Sequence, residues 1–156
     1  TLNGEEISSS LVRKSVEAGD MPYVEKLLGK PYMVTGIVQH GRALGRKLGM
    51  PTVNLLPNKE KMLPPKGVYF SKVLYNGQRY SAISNIGYKP TVSSVEILGI
   101  ETYLYDFEEE IYGEYIEVEL LEFKRPEMRF SNVDELKMQM ECDILDGKLY
   151  HLHKKG

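Results

Sequence analysis

The dipeptide Asn76-Gly77 limits the fold of this chain more than any other short stretch. It separates two segments rich in β-branched and aromatic residues, GVYFSKVLY at 67–75 and QRYSAISNI at 78–86. A two-residue type I′ turn needs positive φ at both central residues, which asparagine and glycine accept most readily. The sequence therefore predicts a β-hairpin at this dipeptide. Eleven tyrosines and no tryptophan among 156 residues also suit a β-rich structure.

Three further segments have the residue pattern of strands: YMVTGIVQ at 32–39, VEILGIETYLYDF at 95–107 and YIEVELLEF at 115–123. In the second of these, Ile100 and Leu104 fall on one side of the strand. Glu101 and Tyr103 fall on the other side, because side chains alternate along a strand. About six short strands with turns between them predict a small antiparallel barrel.

Helical signals are confined to the two ends of the chain. Near the N-terminal end, Gly19 ends a first amphipathic stretch, and Asp20 caps a second one that ends at Gly29. Near the C-terminal end, Ser131 is the expected cap of a helix with an apolar stripe. That stripe consists of Val133, Leu136, Met140 and Ile144. The predicted fold class is mainly β, with short N-terminal helices and a C-terminal helix.

Composition narrows the classes of partner. The formal net charge of −2 argues against a protein dedicated to nucleic-acid binding, because such proteins usually carry a basic face. The sequence has one cysteine, Cys142, so no internal disulfide ties the chain to an oxidising compartment. No apolar run approaches the length that crosses a membrane. We therefore expect a cytoplasmic protein with neither nucleic acid nor a membrane as its partner.

A loop rich in glycine and basic residues, GRALGRKLGMPTVN at 41–54, has the composition of a phosphate-binding loop. Glycines let backbone N–H groups approach an anion, and the basic side chains add positive charge. Gly41 and Gly45 are too close together for the common P-loop pattern, and Lys47 is followed by Leu48 instead of a hydroxyl residue. From glycine spacing alone, an exposed loop without a ligand is the other interpretation.

Two polar residues, Thr52 and Asn54, end this loop. Because they are two residues apart in an extended segment, their side chains project to the same face. Hydroxyl and carboxamide oxygens are hard, neutral ligands that suit Mg²⁺, which takes its other oxygens from water and nucleotide phosphates. The sequence therefore predicts a magnesium site at these two residues, beside a bound nucleotide.

Four segments, in order, resemble the motifs of riboflavin kinases: GRALGRKLGMPTVN (41–54), SNIGYKPT (84–91), IETYLYDF (100–107) and IYGEYIEVELLEFKRPEMRF (111–130). The resemblance covers about residues 31 to 145. It implies a six-stranded antiparallel Greek-key barrel with a C-terminal helix. It also implies Mg²⁺-dependent transfer of a phosphoryl group from ATP to the 5′-hydroxyl of riboflavin, which gives FMN and ADP.

The same resemblance implies roles for individual residues. Glu101 corresponds to the general base that takes the proton of the ribityl hydroxyl. From the alternating strand pattern alone, a solvated carboxylate without a catalytic role is the other interpretation. Thr52 and Asn54 correspond to the metal ligands. The ATP contacts implied are Gly41, Gly45, Arg46, Gly49, Thr52 and Asn85.

Flavin contacts are implied near the last strand and the start of the last helix, at Arg125, Met128, Phe130 and Asp143. Planar arginine and phenylalanine groups can stack on an aromatic ring system. The other interpretation is structural: Arg125 pairs with a surface glutamate, and Phe130 packs against the start of the helix. A barrel that binds flavin and nucleotide without turnover is the alternative function.

The start of the chain, ISSSLVR at 7–13, resembles the I-S-S-T-x-x-R motif near the end of the nucleotidyltransferase domain of bifunctional FAD synthetases. The resemblance implies that residues 1–29 are a helical remnant or linker from a preceding FMN adenylyltransferase domain, and that residues 30–156 are the kinase barrel. That missing domain is then a partner of the barrel. The H-x-G-H loop of the adenylyltransferase site does not occur in this sequence. We therefore expect no adenylyl transfer by this chain.

Overall fold

The computed structural model of the chain describes residues 9–39, 52–58, 60–89 and 97–155. Three helices and six strands fall in these ranges. The helices are α1 (Ser9–Ala18), α2 (Met21–Leu28) and α3 (Val133–Lys155). The strands are β1 (Tyr32–Gln39), β2 (Val53–Leu55), β3 (Gly67–Tyr75), β4 (Gln78–Lys89), β5 (Ile97–Leu104) and β6 (Tyr115–Pro126).

All six strands pair antiparallel and close into a barrel in the order β1-β2-β5-β4-β3-β6. The strands β3, β4 and β5 are consecutive neighbours, and β6 returns to pair with β3. This is the order of a Greek key, in which the fourth strand lies beside the first. The predicted six-stranded antiparallel Greek-key barrel, with its C-terminal helix and short N-terminal helices, is confirmed.

The hairpin between β3 and β4 turns at the predicted dipeptide. Tyr75 lies opposite Gln78 in the register, which leaves two residues for the turn. The φ angles of Asn76 and Gly77 are 51° and 78°. Both are positive, as a type I′ turn requires, so the prediction from this dipeptide is confirmed.

The core fills the inside of the barrel with alternate residues of each strand. On β5, Ile100, Thr102 and Leu104 are buried. The residues between them, Glu101 and Tyr103, are only partly buried. Because neighbours along a strand point to opposite faces, both side chains lie on the outer face of the barrel. The outer face of β5 is therefore the one that can meet a ligand.

The two N-terminal helices have the predicted caps. The Asp20 carboxylate accepts a hydrogen bond of 3.2 Å from the Tyr23 backbone N–H. Gly29 ends α2 with a φ of 77°. These helices contribute Val16, Met21 and Val24 to the same hydrophobic cluster as the barrel residues. The described part of the first 29 residues therefore packs with the barrel, and its origin as a remnant of another domain stays a prediction.

The cap of α3 differs from the predicted one by a single residue. The Asn132 side-chain oxygen accepts a hydrogen bond of 2.9 Å from the Glu135 backbone N–H. The Glu135 carboxylate in turn accepts one of 3.0 Å from the Ser131 backbone N–H. Asn132 is therefore the N-cap, and the prediction of Ser131 is wrong. Asparagine and serine are both strong caps, so adjacent candidates leave the boundary open.

The helix α3 packs against β4 and against Tyr105, which follows β5. The Tyr105 hydroxyl donates a hydrogen bond of 2.5 Å to the Ile144 carbonyl. A ring nitrogen of the buried His151 is 2.8 Å from the Ala82 carbonyl oxygen. These contacts fix one side of the helix against the barrel. None of the helices in the described ranges has the length and apolar character needed to cross a membrane.

Replacing Gly67 by alanine is expected to lower the free energy of unfolding by about 2 kcal/mol. Its φ is +144°, and an added Cβ would collide with the Arg125 carbonyl oxygen. Gly77→Ala is the matched control, because its φ of +78° is also left-handed but no atom lies within 4 Å of the added carbon. Urea unfolding of both variants measures the difference, and equal losses would contradict the proposed collision.

Candidate active site

Three polar residues on adjacent strands form a row across the outer face of the barrel. Glu101 on β5 lies opposite Asn54 on β2 and opposite Asn85 on β4. Residues directly opposite each other in an antiparallel pair project to the same face. The carboxylate is therefore flanked on both sides by a carboxamide. The sequence motifs named all three residues but did not show that they are neighbours.

The predicted metal ligand and the predicted base are in direct contact. The Thr52 hydroxyl donates a hydrogen bond of 2.7 Å to the Glu101 carboxylate. Thr52 precedes β2, and Asn54 lies two residues further on the same face, as the alternation predicts. A hydroxyl has one proton to donate and two lone pairs. After donating to Glu101, the Thr52 oxygen can still bind a cation.

The glycine-rich loop cannot be compared with this row. Gly41, Gly45, Arg46 and Gly49 lie outside the described residues. The described residues that flank the glycine-rich loop are close to the row, because Gln39 of β1 lies opposite Asn54 of β2. The predicted contacts of these four residues with ATP stay predictions.

A pair of glycines lies beside the row on the same outer face. Gly87 on β4 is opposite Gly99 on β5, two residues along from Asn85 and Glu101. An added Cβ on Gly87 would collide with the Glu127 carboxylate, which approaches the strand backbone there. Sequence reasoning missed this pair of buried glycines. The signal was present, since an isolated glycine inside a strand often marks a close approach.

Arg125 and Asp143, both predicted to contact flavin, contact each other. The two guanidinium nitrogens Nε and Nη2 donate hydrogen bonds of 3.0 and 2.6 Å to the two Asp143 oxygens. Asp143 also accepts hydrogen bonds from Lys124 at 3.0 Å and from Gln139 at 2.9 Å. The pair ties the end of β6 to α3. In the alternative structural interpretation Arg125 pairs with a surface glutamate, whereas in the structure its partner is a buried aspartate.

The surroundings of Asp143 favour the negatively charged form of its side chain. Burial alone would raise the pKa of its carboxyl group, but the hydrogen bonds from Arg125, Gln139 and Lys124, with the Arg125 charge, outweigh burial and lower it. The pKa of Lys124 is raised, because hydrogen bonds from its ammonium group to Asp143 and Asp146 outweigh its burial. Both shifts favour the charged forms of Asp143 and Lys124.

The other two predicted flavin residues lie on the segment that joins β6 to α3. Met128 is 48% exposed, and Phe130 is partly buried. The sheet register relates this end of β6 to the polar row: Val68 of β3 lies opposite both Arg125 and Asn85. Arg125 is thus two strands from Asn85, or about 10 Å at the usual strand spacing.

A cavity of about 450 Å³ lies between the end of β5 and the helix α3. Its lining includes Tyr103 of β5, Tyr105 just after the end of that strand, and Lys148 of α3. Arg125, Met128, Phe130 and Asp143 are not among the residues that line it. The cavity is therefore separate from the predicted flavin contacts.

Comparison with known families identifies the domain. The family described as "Flavokinase: Riboflavin kinase" matches residues 28–150. The chain belongs to the flavokinase family. The match spans all six strands and most of α3. Family membership was expected from the four motifs, and it is confirmed.

The curated relatives of this flavokinase chain are bifunctional proteins. It is 41% identical over 152 residues to the bifunctional riboflavin kinase/FMN adenylyltransferase of Bacillus subtilis, with 96% of the chain and 48% of the relative covered. It is 37% identical over 150 residues to the protein of that description from Listeria monocytogenes, with the same coverage. The chain spans about half the length of the curated relatives it matches.

Two solved structures have the flavokinase fold seen here. A structure described as a macrolide-efflux protein from Streptococcus pneumoniae has a TM-score of 0.83 and 34% identity, and the match covers 94% of this chain and 48% of that one. The riboflavin kinase from Trypanosoma brucei has a TM-score of 0.53 and 20% identity, with 76% and 78% covered. At that identity the second likeness shows the fold alone.

Proposed function

We propose that the chain transfers the terminal phosphoryl group of ATP to the 5′-hydroxyl of riboflavin and releases FMN and ADP. The observation that carries this proposal is the row in which Glu101 hydrogen-bonds Thr52 and lies between Asn54 and Asn85. A protein that only binds nucleotide and flavin has no need for a carboxylate at this place. Membership of the flavokinase family supports the proposal.

Glu101 is proposed to act as the general base. As the ribityl oxygen forms its bond to the γ-phosphorus, the bond from that phosphorus to the bridging oxygen of ADP breaks, and the hydroxyl proton passes to the carboxylate. The hydrogen bond from Thr52 holds one carboxylate oxygen, Oε1, in place.

The residues around Glu101 fit a bound magnesium ion. Thr52 and Asn54 offer one hydroxyl and one carboxamide oxygen on the same face, and such oxygens suit this ion. When bound, Mg²⁺ offsets the negative charge of the triphosphate. Asn85, on the other side of Glu101, is proposed to donate its amide protons to phosphate oxygens. Gly41, Gly45, Arg46 and Gly49 are proposed to hold the remaining phosphates.

Riboflavin is proposed to place its ring near the segment between β6 and α3. Met128 and Phe130 supply apolar contact for a planar ring system. Arg125 and Asp143 are bound to each other, so we propose that they contribute by holding this segment against α3 as well as by edge contacts. The strand register supports this proposal, because Arg125 lies two strands from Asn85, the residue proposed to contact phosphate.

A coupled assay tests the function. We expect ADP release that depends on riboflavin, together with formation of FMN, when the chain is supplied with MgATP. Quenching of riboflavin fluorescence in the presence of MgADP reports binding separately. Binding of both ligands without ADP release would instead support the alternative, a non-catalytic barrel. Failure to bind either ligand would contradict both.

The bifunctional relatives lead to a second part of the proposal. We propose that the barrel works beside an FMN adenylyltransferase domain in the whole protein, with residues 1–29 as the remnant or linker between them, in the cytoplasm. By itself this chain is expected to make no FAD from FMN and ATP. Chromatography of the products checks this, and FAD formation by the chain would overturn it.

Removing either proposed metal ligand is expected to raise the magnesium requirement. Thr52→Ala and Asn54→Ala should each increase the Mg²⁺ concentration for half-maximal activity by about tenfold, the equivalent of about 1.4 kcal/mol. Thr52→Ser keeps the hydroxyl and should behave like the wild type. Thr35→Ala, an exposed threonine of β1, is the control for threonine loss on the barrel surface. Unchanged magnesium titrations for both variants would contradict the assignment.

A further inference from the structure

The side of α3 that faces away from the barrel carries a continuous apolar stripe. Its members are Met138, Cys142, Leu145, Leu149 and Leu152, and the intervals between them are four, three, four and three residues. Met138, Leu145, Leu149 and Leu152 are 68%, 57%, 48% and 58% exposed, and Cys142 is exposed as well. This alternating spacing is the one by which two helices pack along a seam.

Packing against the barrel accounts for little of this stripe: Leu145 and Leu152 border the cavity between β5 and α3, but both stay more than half exposed. The barrel-facing side of α3 consists of other residues, among them the buried Asp143, Gly147 and His151. With 3.6 residues per turn, Leu145 and Leu149 point away from Asp143 and Gly147. A surface helix normally has one apolar side. Exposed large side chains in a continuous row mark an interaction surface.

We propose that this stripe binds a second copy of the chain, with the two α3 helices antiparallel. The distribution of charge along the helix favours an antiparallel second copy as the binding partner. Besides the buried Asp143, the first two thirds of the helix carry four acidic residues, Asp134, Glu135, Glu141 and Asp146, against one basic residue, Lys137, and the last third carries Lys148, Lys154 and Lys155. An antiparallel copy brings each acidic part beside a basic part, whereas a parallel copy brings like charges together.

The charges also select one register. If Cys142 faces Leu145 of the second copy, and Met138 faces Leu149 of the second copy, the two helices overlap along nearly their full length of roughly 35 Å. Glu141 then lies beside Lys148 of the second copy, and the twofold axis repeats this pair. A shift of the register by seven residues would place Lys148 beside Lys148 of the second copy, and these like charges would repel each other.

The stability of the dimer follows from the size of the contact. One helix from each copy supplies most of the interface, so the buried surface belongs to the small, weakly associating class. We expect a dissociation constant on the order of micromolar. The dimer should therefore be seen by sedimentation equilibrium of the chain over a range of concentrations that spans this value.

Charge reversal tests partner, orientation and register together. Glu141→Lys alone and Lys148→Glu alone should each weaken self-association by about 30-fold, because two symmetric attractive pairs become repulsive. An equimolar mixture of the two variants should dimerise again, since each introduced charge then faces an opposite charge on the other variant. Both residues are exposed, so the variants should keep the wild-type melting temperature and circular dichroism spectrum.

Lys14→Glu is the matched control, because Lys14 is an exposed lysine of α1 and its reversal changes the net charge equally. It should leave the dissociation constant unchanged. A chain that sediments as a monomer up to several hundred micromolar would overturn the proposal. Dimers that form equally well in both charge variants, or a mixture that fails to dimerise, would also overturn it.

Discussion

The variant Glu101→Gln is expected to lose about two to four orders of magnitude in the turnover number for riboflavin-dependent ADP release. Glutamine has nearly the same size and can still accept the hydrogen bond from Thr52, which is 2.7 Å long in the wild type. It cannot take the proton of the ribityl hydroxyl. The loss should therefore appear in turnover, while the affinity for MgADP stays close to the wild-type value.

Glu117→Gln is the matched control for this variant. Glu117 is also a partly buried strand glutamate, but it lies on β6 opposite Leu74 and Thr35, away from the row around Glu101. Its replacement should leave turnover unchanged. Near-wild-type turnover of Glu101→Gln would show that Glu101 is not the general base. A loss in nucleotide affinity without a loss in turnover would place Glu101 in binding instead of proton transfer.

Much of the barrel could be predicted because its signals are local. The Asn76-Gly77 turn depends on the conformations that two residues accept, and the structure has positive φ at both. Alternation along β5 placed Glu101 on the face opposite Ile100, and the burial pattern agrees. Such signals fix which face a side chain takes. They do not fix which strands become neighbours, since that depends on the closure of the whole sheet.

The arrangement of the candidate site could therefore be predicted only in part. Asn85 is 16 positions before Glu101 in sequence and becomes its neighbour only through the pairing of β4 with β5. The pairing of Arg125 with Asp143 joins a strand to a helix, and no local pattern announces it. The sequence motifs identified the candidate site residues, but only the pairing of strands distant in sequence shows which of these residues are neighbours.

The second large effect is expected at the ion cluster of β6 and α3, where Asp143→Asn should lower the free energy of unfolding by about 3 kcal/mol at neutral pH. Asp143 is 6% exposed and accepts hydrogen bonds from Arg125, Lys124 and Gln139. Asparagine has a similar shape but leaves the two cationic side chains without the buried negative charge. Urea unfolding at pH 7 measures the loss.

Asp146→Asn is the matched control, because this carboxylate also binds Lys124, at 3.1 Å, but its side chain is 51% exposed. It should cost less than about 1 kcal/mol, as surface ion pairs usually do. If the two variants lose the same stability, burial is not the reason for the effect. If Asp143→Asn loses none, the hydrogen bonds around that carboxylate do not stabilise the fold.

The pH dependence gives the same cluster an independent test. The pKa of Asp143 is lowered in the folded chain from its ordinary value of 3.8, so its contribution to stability is present above that value and is lost as the pH falls towards the folded pKa. The stability difference between the wild type and Asp143→Asn should therefore narrow as the pH falls below 3.8. Because the proposed flavin contacts Met128 and Phe130 follow Arg125 closely in sequence, the variant should raise the KM for riboflavin more than the KM for ATP. A pH-independent stability difference would mean that the charge of Asp143 is not what stabilises this end of the barrel.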